Sequence, residues 1–299
     1  MKKIIGNNIE KENNESSNVN NFSEEQSDVN NSGLSQPQTN VTVEIMPSNV
    51  SNKYTHEIFG VQLKNESDYN LSNEIIDLNV EYNKNDIMIF HTHTCESYTP
   101  TEQNNYQASG TFRTTDLNYS VVRVGDELEK YLVDYGYKVV HDKSYHDYPA
   151  YTGSYDRSII TVKNLLSTNQ NTDIVIDLHR DGVSSQAGKR LAKIQGNNCA
   201  QLMFFNGLSY NNAGPITTLT NPYIEDNLAF SFQLFYHSKQ KYDGLCTKTY
   251  LKAYRYNMHL CPKSLLVELG TQYNTVDEAK NSMEYFAELL NDVLTGKNK

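Results

Sequence analysis

Two histidines and a glutamate directly follow a short apolar run in the stretch IMIFHTHTCESYTP, residues 87–100. His93 and Glu96 are three positions apart, and His91 comes immediately after the run. Imidazole nitrogens and carboxylate oxygens are common zinc ligands, and catalytic zinc sites often combine two histidines, one carboxylate and an open fourth position. The stretch therefore predicts part of a metal site.

Two later apolar runs also end on polar residues that would complete such a site. TDIVIDLH (172–179) ends on His179, and KSLLVELG (263–270) contains Glu268 near its end. Zinc lowers the pKa of a water molecule towards neutrality. A carboxylate that is not a ligand is then needed to accept the proton and pass it to the leaving amine. The combined residue types therefore predict a hydrolytic zinc centre.

The roles follow from these residue types. We predict three zinc ligands, which are His93, Glu96 and His179. Glu268 is the predicted acid/base. Four further polar residues could orient the ligands or contact the substrate, namely His91, Asp177, Arg180 and His146. For His146, which follows the strand predicted at 137–141, a surface-loop position is the alternative.

The segments around these runs alternate between strand and helix. Apolar residues recur at three- and four-residue intervals over 117–135, which indicates an amphipathic helix. Further helices are predicted at 154–167, at 223–241 and from the capping box at Thr275 to Gly296, and further strands at 137–141, 199–207 and, as an edge strand, 247–254. This alternation predicts an α/β fold with a mostly parallel twisted sheet and helices on both faces. Ligand sites in such sheets lie at the carboxyl ends of the strands.

The chain divides by composition into three parts. Residues 1–55 are rich in Asn, Ser and Glu, with the short run VTVEIM as a weak exception, and predict a disordered tether. Residues 56–80 are interpreted as a linker or lead-in, and residues 81–299 as a single catalytic domain. The four cysteines form no CxxC motif, which favours free, partly buried thiols.

The overall charge and hydropathy exclude some classes of function. The formal net charge is −10, which argues against nucleic acid as a partner because phosphate binding needs a basic surface. No stretch approaches the roughly 18 apolar residues of a membrane helix, and the start has no apolar stretch of signal-peptide length. We therefore expect no membrane anchor in this chain.

Four blocks together resemble the stage II sporulation protein P family, in that family's order: FHTHTCESYTP, GYKVVHDKSYHDYPAYTGSYDRS, IDLHRDG and YRYNMHLCPKSLLVELGTQYNTVDEA. The family comprises cell-wall hydrolases of endospore-forming bacteria, related to the zinc-dependent N-acetylmuramoyl-L-alanine amidases. The resemblance implies Zn²⁺ at His93, Glu96 and His179, with Glu268 as the catalytic carboxylate. It leaves open whether His91 or His93 is the ligand, and we favour His93.

The resemblance also implies a substrate, partners and a location. The substrate is peptidoglycan, cleaved between muramic acid and the stem peptide, with endopeptidase cleavage also associated with the family. The partners are a stage II sporulation protein D-type transglycosylase and a membrane protein. The location is extracytoplasmic, in the cell envelope at the sporulation septum, although the family's usual N-terminal membrane helix is missing here. The rival interpretations are a zinc carboxypeptidase-like hydrolase and a non-catalytic wall-binding scaffold.

Overall fold

The computed structural model describes residues 41, 43–46, 53–71, 80, 83 and 85–297, all within one compact unit. Most of the predicted tether, residues 1–40, lies outside the described residues. Within the described part, no helix has both the length and the apolar composition that a membrane crossing requires. All four cysteines are free, and they are buried where partly buried thiols were predicted.

The strands are β1 (Val43–Ile45), β2 (His56–Ile58), β3 (Val61–Asn65), β4 (Asp86–Phe90), β5 (Val139–His141), β6 (Thr172–Asp181), β7 (Leu191–Ile194), β8 (Asn197–Ala200), β9 (Leu202–Gly207), β10 (Tyr210–Asn211), β11 (Gly214–Pro215), β12 (Cys246–Lys252) and β13 (Lys263–Thr271). The helices are α1 (Val121–Asp134), α2 (Ser154–Thr168), α3 (Ile224–Lys241), α4 (Val276–Asn281) and α5 (Met283–Thr295). Short 3₁₀ turns cover Leu117–Tyr119 and Met258–Leu260.

Eight strands form one large sheet in the order β2-β3-β12-β9-β13-β6-β4-β5. The neighbours β13, β6, β4 and β5 are mutually parallel. β9, β12 and β3 are parallel to one another but run opposite to β13, and β2 is antiparallel to β3. The predicted mostly parallel α/β sheet is therefore confirmed, with a change of strand direction between β13 and β9.

Alternate residues of β4 show that helices cover both faces of this sheet. Ile87 and Ile89 belong to the main core together with the apolar stripe of α1, whereas Met88 and Phe90 pack with Val162 of α2. Side chains alternate between faces along a strand, so α1 and α2 lie on opposite faces. We call these the α1 face and the α2 face. Residues from α3, α4 and α5 join the main core on the α1 face.

Several details differ from the sequence prediction. β12 lies between β3 and β9 inside the sheet and was wrongly predicted as an edge strand. Helix α3 packs against β12. The neighbour of β12 on the side away from β9 is β3, which belongs to the predicted lead-in. Both β2 and β3 thus join the large sheet, with Val61 and Leu63 buried. Val43–Ile45 pairs with β7 in a separate three-stranded sheet. The last predicted helix is interrupted at Ser282.

Candidate active site

Three parallel neighbours, β4, β6 and β13, carry the polar residues selected from the sequence. β6 lies between β4 and β13, so the carboxyl ends of all three meet at one edge of the sheet. His179 and Glu268 are register partners on adjacent strands. Asp177 and His179 alternate with Ile176 and Leu178 of the main core, which places the polar pair on the α2 face.

His179 is held between two carboxylates. Its Nε2 lies 2.8 Å from Asp177 Oδ1 and its Nδ1 lies 3.4 Å from Glu96 Oε2. Asp177 is fixed in turn by Thr92, whose backbone N–H and hydroxyl donate to its two oxygens at 2.8 and 2.7 Å. Burial alone would lower the pKa of His179, but the two carboxylates raise that pKa well above its usual value. The surroundings therefore favour a positive charge at this position.

Glu96 is buried and remains ionised. Burial raises its pKa, but the Arg180 guanidinium and His179 outweigh burial and bring the pKa to about 2. The Arg180 backbone N–H donates to Glu96 Oε2 at 3.2 Å. The guanidinium donates to the carbonyl oxygens of Ser97, Thr111 and Phe112 at 3.0–3.1 Å. Arg180 thus fastens the loop that carries Glu96 to the end of β6.

His93 is sandwiched among aromatic rings. It stacks on Tyr151 at 4.4 Å between centroids, and its Nε2 lies 3.1 Å from the Tyr151 hydroxyl. The ring of His179 meets it edge-on at 5.2 Å. Its Nδ1 is buried and has no hydrogen-bond partner among the described residues. Burial lowers the pKa of His93 to about 4, so the ring is neutral at physiological pH and its nitrogen lone pair is available to a cation.

Glu268 is a buried carboxyl group without a hydrogen-bond partner at Oε2 within the described residues. Burial, with the negative charge of Asp181 adding to it, raises the pKa of Glu268 to about 8. A carboxyl group with a pKa near the working pH can both accept and release a proton. Its environment is thus the opposite of that of Glu96, and such a separation of two carboxyl pKa values marks distinct acid/base roles.

These four side chains line one cavity of about 680 Å³. His93, Glu96 and His179 lie on its wall with Glu268. The remaining lining residues come from α2, from β6, β9, β12 and β13, and from nearby loops: Thr111, Arg113, Tyr151, Tyr155, Arg180, Gly182, Phe205, Lys252, Tyr256 and Leu266. The structure therefore brings together the four residues selected as ligands and acid/base.

His91 and His146 do not line the cavity. His91 Nδ1 donates to the carbonyl oxygen of Leu178 at 2.8 Å, and its Nε2 lies 2.9 Å from His141 Nε2. His146 is buried, with Nδ1 2.8 Å from the His91 carbonyl oxygen and Nε2 2.9 Å from the Thr161 hydroxyl. Both histidines brace the backbone around the site, so their assignment as substrate contacts does not fit this geometry.

Sequence reasoning assigned no role to Asp147, although the structure gives it one. Its buried carboxylate accepts from the Cys95 backbone N–H at 3.1 Å, pairs with Arg113 and lies 3.9 Å from His93 Nδ1. The Arg113 guanidinium also lies 5.0 Å from the centre of the Tyr151 ring. The sequence signal was the block HDYPAY, but nothing within it separated Asp147 from an ordinary loop residue.

The donor types fit a zinc ion, and one pair of them has the spacing of two zinc ligands. Ligand atoms held about 2.1 Å from a tetrahedral ion lie roughly 3.4 Å apart, which is the separation of His179 Nδ1 and Glu96 Oε2. His179 Nε2 lies 2.8 Å from Asp177 Oδ1 without the angle of a hydrogen bond, and a histidine beside a carboxylate is a pair common at zinc sites. The predicted trio is more open than a coordinated set: among the described residues, the potential ligands within 4.8 Å of one another are Asp126, Glu129 and His141.

Comparison with known proteins gives matches at several levels. Residues 2–291 match the sequence model of the family described as Stage II sporulation protein P (SpoIIP). The stage II sporulation protein P of Bacillus subtilis (strain 168) is 26% identical over 220 residues, which cover 69% of this chain and 50% of the relative. The chain thus spans about half the length of that relative.

Solved structures of amidases are similar at lower identity. An N-acetylmuramoyl-L-alanine amidase of Nostoc punctiforme is 13% identical, with a TM-score of 0.41 over 73% of this chain and 98% of that one. An apo N-acetylmuramyl-L-alanine amidase from Mycobacterium abscessus is 15% identical, with a TM-score of 0.41 over 71% and 97%.

Proposed function

This chain belongs to the stage II sporulation protein P family, and from that premise we propose that it is a zinc-dependent peptidoglycan hydrolase of the N-acetylmuramoyl-L-alanine amidase type. The observation that carries the proposal is the meeting of His93, Glu96, His179 and Glu268 in one cavity. Metal-assisted amide hydrolysis needs ligands for the ion and a carboxyl group that can exchange a proton. Two imidazoles and one ionised carboxylate would supply the ligands here, and a carboxyl group with a raised pKa would exchange the proton.

A zinc ion held by His93, Glu96 and His179 would polarise the amide carbonyl and make a water molecule acidic enough to attack it. Glu268 accepts the proton of that water as the new C–O bond forms. It then gives the proton to the amide nitrogen as the C–N bond breaks, which leaves a lactyl carboxyl group and a stem peptide with a free amine. The pKa of about 8 suits Glu268 to both transfers near neutral pH.

The remaining groups hold the ligands in place. Asp177, itself fixed by Thr92, orients the imidazole of His179 so that Nδ1 points towards Glu96. Tyr151 stacks on His93 and is 57% exposed at the mouth of the cavity. The exposed part of this side chain suits contact with a sugar of the glycan, because an aromatic ring offers apolar area with little entropy cost.

The charges in the cavity favour the amidase over a carboxypeptidase-like enzyme. A carboxypeptidase needs a free cation for the terminal carboxylate of its substrate. Among the described residues, each of the three Arg and Lys side chains that line the cavity already has a carboxylate partner: Arg113 has Asp147, Arg180 has Glu96 and Lys252 has Glu66. A neutral internal amide is the better fit to these surroundings.

The test is digestion of purified sacculi by the zinc-loaded full chain, with identification of the products. We expect glycan strands without peptides and stem peptides with free amino-terminal alanine. Release of terminal residues alone would support the carboxypeptidase-like alternative, and binding without release would support the scaffold alternative.

The acid/base assignment is tested with Glu268→Gln, which keeps the shape of the side chain. We expect a loss of cleavage of about 10²- to 10⁴-fold with zinc content unchanged. Glu284→Gln, at an exposed position of α5, is the matched control and should cleave at the wild-type rate. Wild-type cleavage by Glu268→Gln would remove Glu268 from the mechanism.

We further propose that the chain acts in septal wall remodelling during engulfment, outside the cytoplasm, together with a stage II sporulation protein D-type transglycosylase and a membrane partner. Family membership supports this part of the proposal. Co-purification of the full chain with the candidate transglycosylase, and faster sacculus digestion by the mixture than by the sum of the two alone, are the expected results. No association and simply additive digestion would count against the partnership.

A further inference from the structure

We propose that the protein has a second divalent-metal site, held by His141 at the end of β5 and by Asp126 and Glu129 of α1. These residues lie on the α1 face of the sheet, since His141 is the register partner of Ile89. The zinc ligands of the proposed active site lie towards the α2 face. The second site is therefore separate from the first, and its metal class is a transition ion such as Zn²⁺, which accepts imidazole and carboxylate together.

The distances among the three side chains are those of a coordinating set. His141 Nδ1 lies 3.3 Å from Asp126 Oδ1 and 3.2 Å from Glu129 Oε2. All three ligand atoms are within 4.8 Å of one another. Ligand atoms about 2.1 Å from a tetrahedral ion are roughly 3.4 Å apart, so an ion could be held with little movement of these groups.

The hydrogen bonds of the neighbouring histidine determine what His141 offers to this cluster. A carbonyl oxygen only accepts, so His91 Nδ1 must carry the hydrogen that bonds to Leu178 O. His91 Nε2 lies 2.9 Å from His141 Nε2, so these two nitrogens share one hydrogen. His141 Nδ1 lies between the carboxylates of Asp126 and Glu129, at 3.3 and 3.2 Å. Two carboxylates beside one ring nitrogen favour a positive charge at this position.

The approach of α1 keeps the histidine pair in this geometry. Gly125 lies in the middle of α1, and a Cβ atom there would be 2.6 Å from His141 Nε2 and 3.0 Å from His91 Nε2. The helix can come this close because residue 125 has no side chain. The side chain of His141 is only 1% exposed, so its ring has little freedom to turn away from Asp126 and Glu129.

Lys143 occupies part of this site. Its Nζ lies 2.6 Å from Asp126 Oδ1, and its side chain is 46% exposed. A half-exposed lysine can swing into solvent at little cost, and the Asp126 and Glu129 side chains are less exposed than it is, at 35% each. We therefore expect Lys143 to compete with the metal and to be displaced when the metal binds.

The experiment is equilibrium dialysis of the full chain against Zn²⁺, followed by metal analysis of four proteins. They are the wild type, the double variant Asp126→Asn/Glu129→Gln, the control Glu127→Gln and His179→Ala. Glu127 lies on the same helix but pairs with Arg123 and Lys130, so its substitution leaves the cluster intact. Circular dichroism melting confirms that each variant is folded.

The expected zinc content per chain is two ions in the wild type and in Glu127→Gln, and one ion in the other two proteins. Zinc content in Asp126→Asn/Glu129→Gln equal to that of the wild type would overturn the proposal. If instead the proposed active site binds no zinc, the zinc contents will differ from both of these outcomes. The wild type would then bind one ion, which His179→Ala would retain and Asp126→Asn/Glu129→Gln would lose.

A fifth variant, Lys143→Ala, tests the site from the opposite direction. Removing the competing ammonium should tighten zinc binding at this site roughly three- to fivefold, the size of effect expected from one partly exposed ion pair. To isolate the second site, this measurement uses the His179→Ala background. Weaker or unchanged binding in that background would contradict the assignment.

Discussion

Substitution of Gly125 by alanine sets two effects of known size against each other. Alanine is better than glycine in a helix interior by about 1 kcal/mol, so the change would stabilise α1 by itself. The new Cβ atom, however, would lie 2.6 Å from His141 Nε2, whereas ordinary contacts are roughly 3.5–4.0 Å. The imidazole would have to move by about 1 Å.

The imidazole of His141 is not free to make that movement. It is held by His91 at 2.9 Å, by Glu129 at 3.2 Å and by Asp126 at 3.3 Å. Overpacking of this kind costs about 1–3 kcal/mol, which equals or exceeds the helix gain. We therefore expect Gly125→Ala to lower the free energy of unfolding by up to about 2 kcal/mol.

Urea unfolding of a double-mutant cycle measures this balance. In the His141→Ala background the ring is gone, and Gly125→Ala should stabilise the protein by up to about 1 kcal/mol. The sign of the effect should thus reverse between the two backgrounds, with unchanged urea m-values showing that the unfolding transition is comparable. Stabilisation of the wild-type background by about 1 kcal/mol would refute the reasoning, because the ring would then move aside freely.

Three further predictions concern the site and the stability of the fold. Asp177→Asn should weaken zinc binding about 10- to 100-fold through loss of the carboxylate that orients His179, measured by chelator competition; unchanged affinity would contradict this role. Thr275→Ala removes the N-cap of α4 and should cost about 1 kcal/mol in urea unfolding, whereas an unchanged midpoint would count against it. Leu132→Ala, at a fully buried position, should cost about 2–5 kcal/mol, and Val133→Ala, half-exposed on the same helix, much less.

The local pattern of the sequence was enough to predict the parallel half of the sheet. The apolar runs at β4, β6 and β13 and the helical period of α1 are strong signals, because their residues are buried on faces that the strand and helix periods define. The rule that sites lie at the carboxyl ends of parallel strands then led to His93, His179 and Glu268. These signals depend only on neighbouring residues, and the folded structure has the strands and the helix that they predict.

The other half of the sheet depended on pairing between distant segments. No local signal shows that β9 runs antiparallel to β13, or that β3, about 180 residues before β12 in sequence, becomes its neighbour. The direction of a side chain at a loop is equally hidden. His91 and His93 are two positions apart, yet one faces His141 and the other faces the cavity.

Arg180 makes the loop that carries Glu96 and the end of β6 a single cooperative unit. Its backbone and guanidinium donate four hydrogen bonds to this loop, one of them to the proposed ligand Glu96. A thermal fluctuation that opens the loop must break these bonds together, and it then separates Glu96 from His179 in the same event. A partly unfolded molecule would therefore lose the proposed centre entirely, so only the folded chain would carry the proposed activity.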